Sequence, residues 1–171
     1  MEARTNLKVR PGTPDDVPEL VRLRRLMIES VGLQYEGPDG RGAEWEATCA
    51  GLLTAGLADG SFHASVVDDP DRPGCLAACG VGMVGQRLPG PGNPNGKWGY
   101  IQSMATDDAH RRRGLARAIF EDLMAWFDSV GVTSVDLHAS DMGAPLYRQY
   151  GFEEGRQVEL RWRKGAPAEC A

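Results

Sequence analysis

The stretch from Trp98 to Leu137 constrains the fold more than any other part of the chain. Trp98 to Thr106 is an apolar run of strand length. Asp107 and Asp108 break it, three arginines follow at 111 to 113, and Gly114 reopens the chain as a helix. Within that helix Leu115, Ala116, Ile119, Phe120, Leu123, Met124 and Phe127 make one apolar stripe, while Arg117, Glu121, Asp122 and Asp128 face away. Gly131 ends it, and Thr133 to Leu137 reads as a strand. Strand, helix and strand in that order predict a parallel pair joined by a right-handed crossover.

The rest of the chain supplies the remaining layers. Leu7 to Arg10 is a short strand, punctuated by Pro11-Gly12-Thr13-Pro14, with Thr13 or Asp15 placed to cap the helix that follows. That helix is predicted over Asp16 to Val31, with Val17, Leu20, Val21, Met27, Ile28 and Val31 near one face. Gly32 to Gly42 is a loop rich in glycine, and Ala43 to Leu57 a second helix weakened by Gly51 and Gly56. Phe62 to Val67 and Leu76 to Gln86 flank the turn-rich Asp68 to Gly74 and predict an antiparallel pair. After the loop Leu88 to Gly96 comes the Trp98 strand. Beyond Leu137, Ser140 or Asp141 caps a short helix with Pro145 near its start and Gly151 at its end. Phe152 to Glu154 and Gln157 to Trp162 are read as a last strand or hairpin, and Arg163 to Ala171 as a frayed tail.

Length and composition fit one soluble domain spanning residues 1–171. The chain has 171 residues, 42% hydrophobic and 25% charged, enough to bury a sizeable core. A net charge of −5 argues against a nucleic-acid partner, because phosphate contacts need a basic face. No signal-like segment and no apolar run of membrane-spanning length stands out, so the expectation is a cytoplasmic protein with no membrane partner. The cysteines at 49, 75, 79 and 170 form no CxxC pair, and His63, His110 and His138 are not spaced as ligands, so no metal is expected.

A strand that feeds a glycine-bearing turn at a helix N-terminus leaves backbone N–H groups unpaired and pointing one way. Together with the positive end of the helix dipole they make an anion site. Arg111-x-x-Gly114-x-Ala116 is not a Walker loop, since no Gly-Lys-Ser/Thr follows. The glycine triplet of the dinucleotide fingerprint is missing too. A generic nucleotide-binding α/β domain remains a third reading.

A second constellation lies downstream in Leu146-Tyr147-Arg148-Gln149-Tyr150-Gly151-Phe152. In this order, the Arg-x-x-Gly-x-Ala turn, the amphipathic helix, the strand and Leu-Tyr-x-x-x-Gly-Phe, the chain resembles the GCN5-related N-acetyltransferase family from about Tyr100 to Phe152. The resemblance implies an α/β fold: a mixed, mostly antiparallel sheet of six to seven strands with splayed central strands and about four flanking helices. It implies acetyl-CoA as co-substrate, with Arg111, Arg112, Arg113, Gly114, Leu115 and Ala116 wrapping the pyrophosphate. Met104, Ala105 and Thr106 would pair with the pantetheine arm, and Tyr147 would protonate the departing thiolate. Two positions depart from the family pattern: Ser140, counted with the cofactor-binding residues, replaces an asparagine often found before the short helix, and Asp108 replaces a proline. A homodimer is compatible with the fold.

Elementary chemistry sets what such a site must do. A primary amine with pKa near 10.4 is only about one part in a few thousand neutral at pH 7, roughly 4.6 kcal/mol from being a nucleophile. Something must accept its proton, directly or through water. His138 is the candidate base, its ordinary titration range suiting the role. A backbone N–H at Met104 or Ala105 is the candidate donor to the oxyanion. Tyr100 and Gln102 on the strand, Glu29 on the first helix and Glu36 in the following loop are candidates to line the pocket for a small-molecule amine. The alternative is a non-catalytic coenzyme A sensor or partner-binding module of the same fold.

Overall fold

The computed structural model describes residues 8–32, 44–155, 158 and 164. These divide into two compact units, one ending at His138 and one beginning at Ala139. The first holds a five-stranded sheet in the order β1 (Val9–Pro11), β2 (Phe62–Asp68), β3 (Leu76–Gln86), β4 (Lys97–Thr106) and β5 (Val135–Leu137). Neighbours are antiparallel except β4 and β5, which are parallel. Helices α1 (Val17–Ser30) and α2 (Glu44–Asp59) pack with the sheet and each other, and α3 (Leu115–Ser129) crosses over between β4 and β5. The mixed, mostly antiparallel sheet expected from the sequence is therefore present, as is the strand–helix–strand unit.

Strand β3 lies at the centre, and its first seven residues are buried. Residues of alternate parity serve different layers. Cys79 and Val81 join Val17, Leu20, Val21, Leu23 and Leu53 in the core with α1 and α2. Gly80 and Gly82 face α3: an added Cβ would come within 2.6 Å of Ile119 Cγ2 at the first and 2.9 Å of Phe127 Cζ at the second. Gly99 on β4 completes this trough, where a Cβ would stand 2.7 Å from Phe127 Cε1. The apolar stripe of α3 fills it, with Leu115, Ile119, Phe120, Leu123 and Phe127 buried. Ala116 is exposed, because it sits at the open N-terminal end of that helix.

The sequence-based picture needs three adjustments. In α1 it is Leu23 that is fully buried, whereas Val31 is 48% exposed just past the helix end. Helix α2 runs unbroken through Gly51 and Gly56; at Gly56 the Phe62 ring occupies the space a Cβ would need. Among the described residues there are five strands rather than six or seven. Phe152 to Glu154 is not a strand, because the Phe152 N–H turns back to Tyr147 O at 3.2 Å. The strand expected over Gln157 to Trp162 lies outside the described residues except Val158.

In the second unit the short helix α4 (Ala144–Arg148) is capped by Gly143 with no side-chain cap bond, rather than by Ser140 or Asp141 as expected; Ser140 instead closes the turn that precedes it. The Ser140 carbonyl accepts from the N–H groups of Gly143 at 3.0 Å and Ala144 at 2.9 Å, and its hydroxyl accepts from Gly143 N–H at 3.2 Å. Tyr147 is buried and tilts against Phe152 with ring centroids 6.1 Å apart. Arg148 and Glu154 form an ion pair at 2.8 Å.

The glycine trough predicts a directional response. Gly99→Val forces Phe127 aside and is expected to cost about 1–3 kcal/mol, read as a lower urea midpoint at unchanged slope. Gly90→Ala, where an added Cβ meets nothing within 4 Å, serves as the control. Equal midpoints for the two variants would show that the trough is not tightly filled.

Candidate active site

The site begins where β4 and β5 part. Their pairing covers Gly99 to Ile101 against Val135 to Leu137, yet β4 runs on to Thr106. The edge of β4 from Gln102 onward is thus not paired with β5. On its other edge β4 carries a bulge: Cys79 pairs with Ala105 but Val81 with Gln102, so β4 has one extra residue. Ser103 absorbs it with φ of 57°, left-handed for a non-glycine residue. Gln102 and Ser103 consequently both face the cavity described below, after which Met104 lies toward Gly80 and α3 and Ala105 toward the α1 side.

Beyond Thr106 the chain is strapped down before it turns. The Asp107 N–H donates to Ala77 O at 2.9 Å, and its carboxylate accepts from Arg22 Nη1 at 3.0 Å and Arg72 Nη2 at 2.8 Å. Arg22 is held in turn by Glu19, which also accepts the Leu76 N–H at 2.8 Å. Burial acts to raise the Asp107 pKa, but the two guanidiniums outweigh it and hold the carboxyl below the usual carboxylate range. His110 is buried, its Nε2 3.1 Å from Asp69 Oδ2, and its Nδ1 accepts from Arg113 Nη1 at 3.3 Å. Burial likewise opposes ionisation of Asp69, yet bonds from the Asp71 backbone, Arg72 and His110 hold its carboxyl far below the ordinary range.

From this anchored base rises the turn itself. Arg111 is extended and pairs with Asp108 at 2.7 Å, Arg112 has φ of 63°, and Gly114 has φ of 79°. An added Cβ at Gly114 meets nothing within 4 Å, so the space before the helix is open. Helix geometry leaves the N–H groups of Leu115 and Ala116 without a partner inside α3. A tight turn that contains left-handed residues can aim successive N–H groups into a concavity, the form of an anion cradle. Arg111, Arg112 and Arg113 stand exposed around it.

A cavity of about 540 Å³ opens between α1, α2 and the sheet. Arg24, Glu44, Trp45, Thr48, Cys49, Leu52, Leu53, Phe62, Val81, Gln102 and Ser103 line it. Of the residues expected at an acceptor pocket, Gln102 is here. Tyr100 instead contacts His138 through its hydroxyl and Nδ1, in an aromatic pair with centroids 5.8 Å apart just past β5. Glu29 is exposed near the end of α1 and does not line the cavity. Glu36 lies outside the described residues. Burial pushes the Tyr147 phenol up, which keeps it protonated at neutral pH.

Among the described residues Asp69, Asp71 and His110 bring potential ligand atoms within 4.8 Å of one another. Asp69 already accepts from the N–H groups of Asp71 and Arg72, from Arg72 Nε and from His110, so its oxygens serve protein donors. Cys79 is fully buried and its thiol is pushed up to about 12 by burial, which makes it a core group. No helix among the described residues is long and apolar enough to cross a membrane.

Several of these features left no mark that spacing rules would catch. The Asp107 strap and the Asp69–His110 pair join residues far apart in sequence, and the Ser103 bulge shows no glycine or proline. Glu44, Trp45 and Thr48 lie on a helix whose apolar pattern is weak, and only the fold turns them toward a pocket.

Comparison with known proteins agrees with this geometry. No curated protein matches the sequence. Among solved structures, a predicted acetyltransferase with acetyl-CoA from Clostridium acetobutylicum superposes with a TM-score of 0.79 at 20% identity, covering 91% of this chain and 96% of its own. A GCN5-related N-acetyltransferase from Ralstonia eutropha JMP134 gives 0.74 at 29% identity over 92% and 99%. Glucosamine-6-phosphate N-acetyltransferase from Arabidopsis thaliana gives 0.68 at 18% over 92% and 98%. The family model for the acetyltransferase (GNAT) domain matches residues 62–154, which runs from β2 through the turn to Tyr147 and beyond. With the splayed β4 edge, the cradle and that match in hand, the chain belongs to the GNAT acetyltransferase family.

Proposed function

We propose that this protein transfers an acetyl group from acetyl-CoA to the primary amine of a small molecule, by direct attack and without a covalent enzyme intermediate. The observation that carries the proposal is the pair of left-handed residues, Arg112 and Gly114, the latter facing open space at the start of α3, beside a β4 edge that β5 leaves unpaired beyond Ile101 among the described residues. Acetyl-CoA supplies the activated thioester. In this reading the N–H groups from Arg112 to Ala116 grip its pyrophosphate, and Arg111, Arg112 and Arg113 add positive charge around it. The β4 backbone over Met104, Ala105 and Thr106 takes the pantetheine arm as an added strand. An N–H at Met104 or Ala105 serves the oxyanion.

Tyr147 is the general acid. A phenol holds its proton at neutral pH and can give it to a departing thiolate; burial, which pushes the Tyr147 phenol up, favours holding the proton and opposes releasing it. Ser140 supports this role by closing the turn that leads into the helix carrying Tyr147. His138 is the base, and its contact with Tyr100 bears on which nitrogen works. For Nε2 to accept a proton, Nδ1 must carry the hydrogen and donate it to the Tyr100 oxygen. The cavity volume suits one small molecule, in the size range of ordinary ligand pockets, and a neighbour of similar fold acts on glucosamine 6-phosphate by its name.

Two variants test the two halves. Gly114→Glu places a side chain where φ is positive and a carboxylate where an anion binds. Titration calorimetry is expected to show no acetyl-CoA binding, and retained binding would remove the turn from the cofactor site. Tyr147→Phe is expected to bind acetyl-CoA normally while thiol release with an active amine falls about a hundredfold. An undiminished rate would leave the acid unassigned. Acetyl-CoA binding with no thiol release across a broad amine panel would establish the non-catalytic alternative.

A further inference from the structure

Three arginines project from the middle of α1, and their partners differ. Arg22 is paired with Glu19 and Asp107, and Arg25 with Glu46 at 2.6 Å. Arg24 lines the cavity, and among the described residues it makes no ion pair; its Nη1 donates to Ser103 Oγ at 2.5 Å. The remaining guanidinium donors are therefore not engaged by a carboxylate. Around them the walls are mostly apolar, with Trp45, Leu52, Leu53, Phe62 and Val81. Among the described residues the other ionisable groups facing the cavity are the Cys49 thiol and Glu44, in the first turn of α2. A cation in an apolar setting without a counter-ion is costly, and a ligand that brings the counter-charge relieves that cost.

We infer that the acceptor amine also carries an oxyanion, bound by the fork of Arg24, and that it is an α- or β-amino acid with an apolar side chain. This rests on the acetyl-transfer reading of the same site. The spacing follows from where Arg24 is tied down. Its guanidinium sits at Ser103, the residue that forms the β4 bulge beside Met104 and Ala105. An amine that reaches this same stretch of β4 while its oxyanion lies on Arg24 has the two groups close together, as an α- or β-amino acid does. A long-chain ω-amino acid separates them too far. A planar carboxylate matches the planar fork in two parallel bonds, and the apolar walls take the side chain. Arg24 is then a specificity-determining residue rather than a participant in proton transfer.

The test uses matched probes that differ in the oxyanion alone. L-phenylalanine is compared with 2-phenylethylamine, O-phosphoethanolamine with ethanolamine, and 6-aminohexanoate supplies the long spacing. Each is titrated by calorimetry into the full chain, and each is assayed with acetyl-CoA for thiol release. The expected result is about a ten- to hundredfold advantage for L-phenylalanine over 2-phenylethylamine. Arg24→Gln is expected to reduce that advantage at least tenfold, with Arg24→Lys intermediate because it keeps the charge and loses the fork. Circular dichroism of both variants separates loss of fold from loss of recognition. If the phosphate pair discriminates more strongly than the carboxylate pair, or 6-aminohexanoate matches L-phenylalanine, the amino-acid assignment is overturned. Equal binding within both pairs, or no binding by any probe, overturns the oxyanion site. Oxyanion-dependent binding abolished by Arg24→Gln, with no thiol release from any amine, supports the site while removing the acetyl-transfer reading.

Discussion

The anchoring of Asp107 governs the rest of the molecule. A turn with two left-handed residues is not self-supporting: it lacks the repeating bonds of a helix or ladder, and Arg112 adopts a backbone region that disfavours its own Cβ. What holds it is the residue before it. Asp107 is tied by its N–H to β3, by one guanidinium to α1 and by another to the connection between β2 and β3. His110 adds a buried post between Asp69 and Arg113. The cradle is thus built on the sheet, which is how a loop holds N–H groups in a fixed direction.

That arrangement also explains how the two faces of the sheet divide the work. Toward α3 the surface is saturated, with glycines admitting Ile119, Leu123 and Phe127 close to the strands. Toward α1 and α2 the packing is incomplete, and the cavity is what is left. Leu52, 59% exposed, belongs to that looser side. The helix whose N-terminus opens the cradle is the one most tightly packed. The helices that border the cavity are less tightly bound to the sheet, and a pocket can vary there without disturbing the cradle.

The parts legible in the sequence share a physical origin, local periodicity. Helix α3 was readable because its stripe repeats at helical spacing, and β3 because small apolar residues run uninterrupted between turn signals. The crossover followed from order alone. Legibility ended where partners are distant. Nothing local distinguishes Arg24 from Arg22 and Arg25, three cations within four positions whose fates are decided by Ser103, Asp107 and Glu46. Glu29 is a carboxylate on the right helix, but it stands exposed near the end of α1 and outside the cavity lining. Exposure of Val31 and burial of Leu23 have the same source: the helix axis relative to the sheet is a tertiary quantity.

The bulge in β4 has a meaning beyond local geometry. A strand is read by parity, odd residues for one layer and even for the other, and Ser103 shifts that reading frame in mid-strand. Upstream, even-numbered Tyr100 and Gln102 share a face while Gly99 supports Phe127; downstream, the odd-numbered Ala105 takes over that face and Met104 supports α3. The two halves of the strand are therefore written in different frames. Loss of a single residue at the bulge would leave every other side chain chemically intact and make Met104 and Ala105 exchange layers. Length, at this point of the chain, is as strictly encoded as composition.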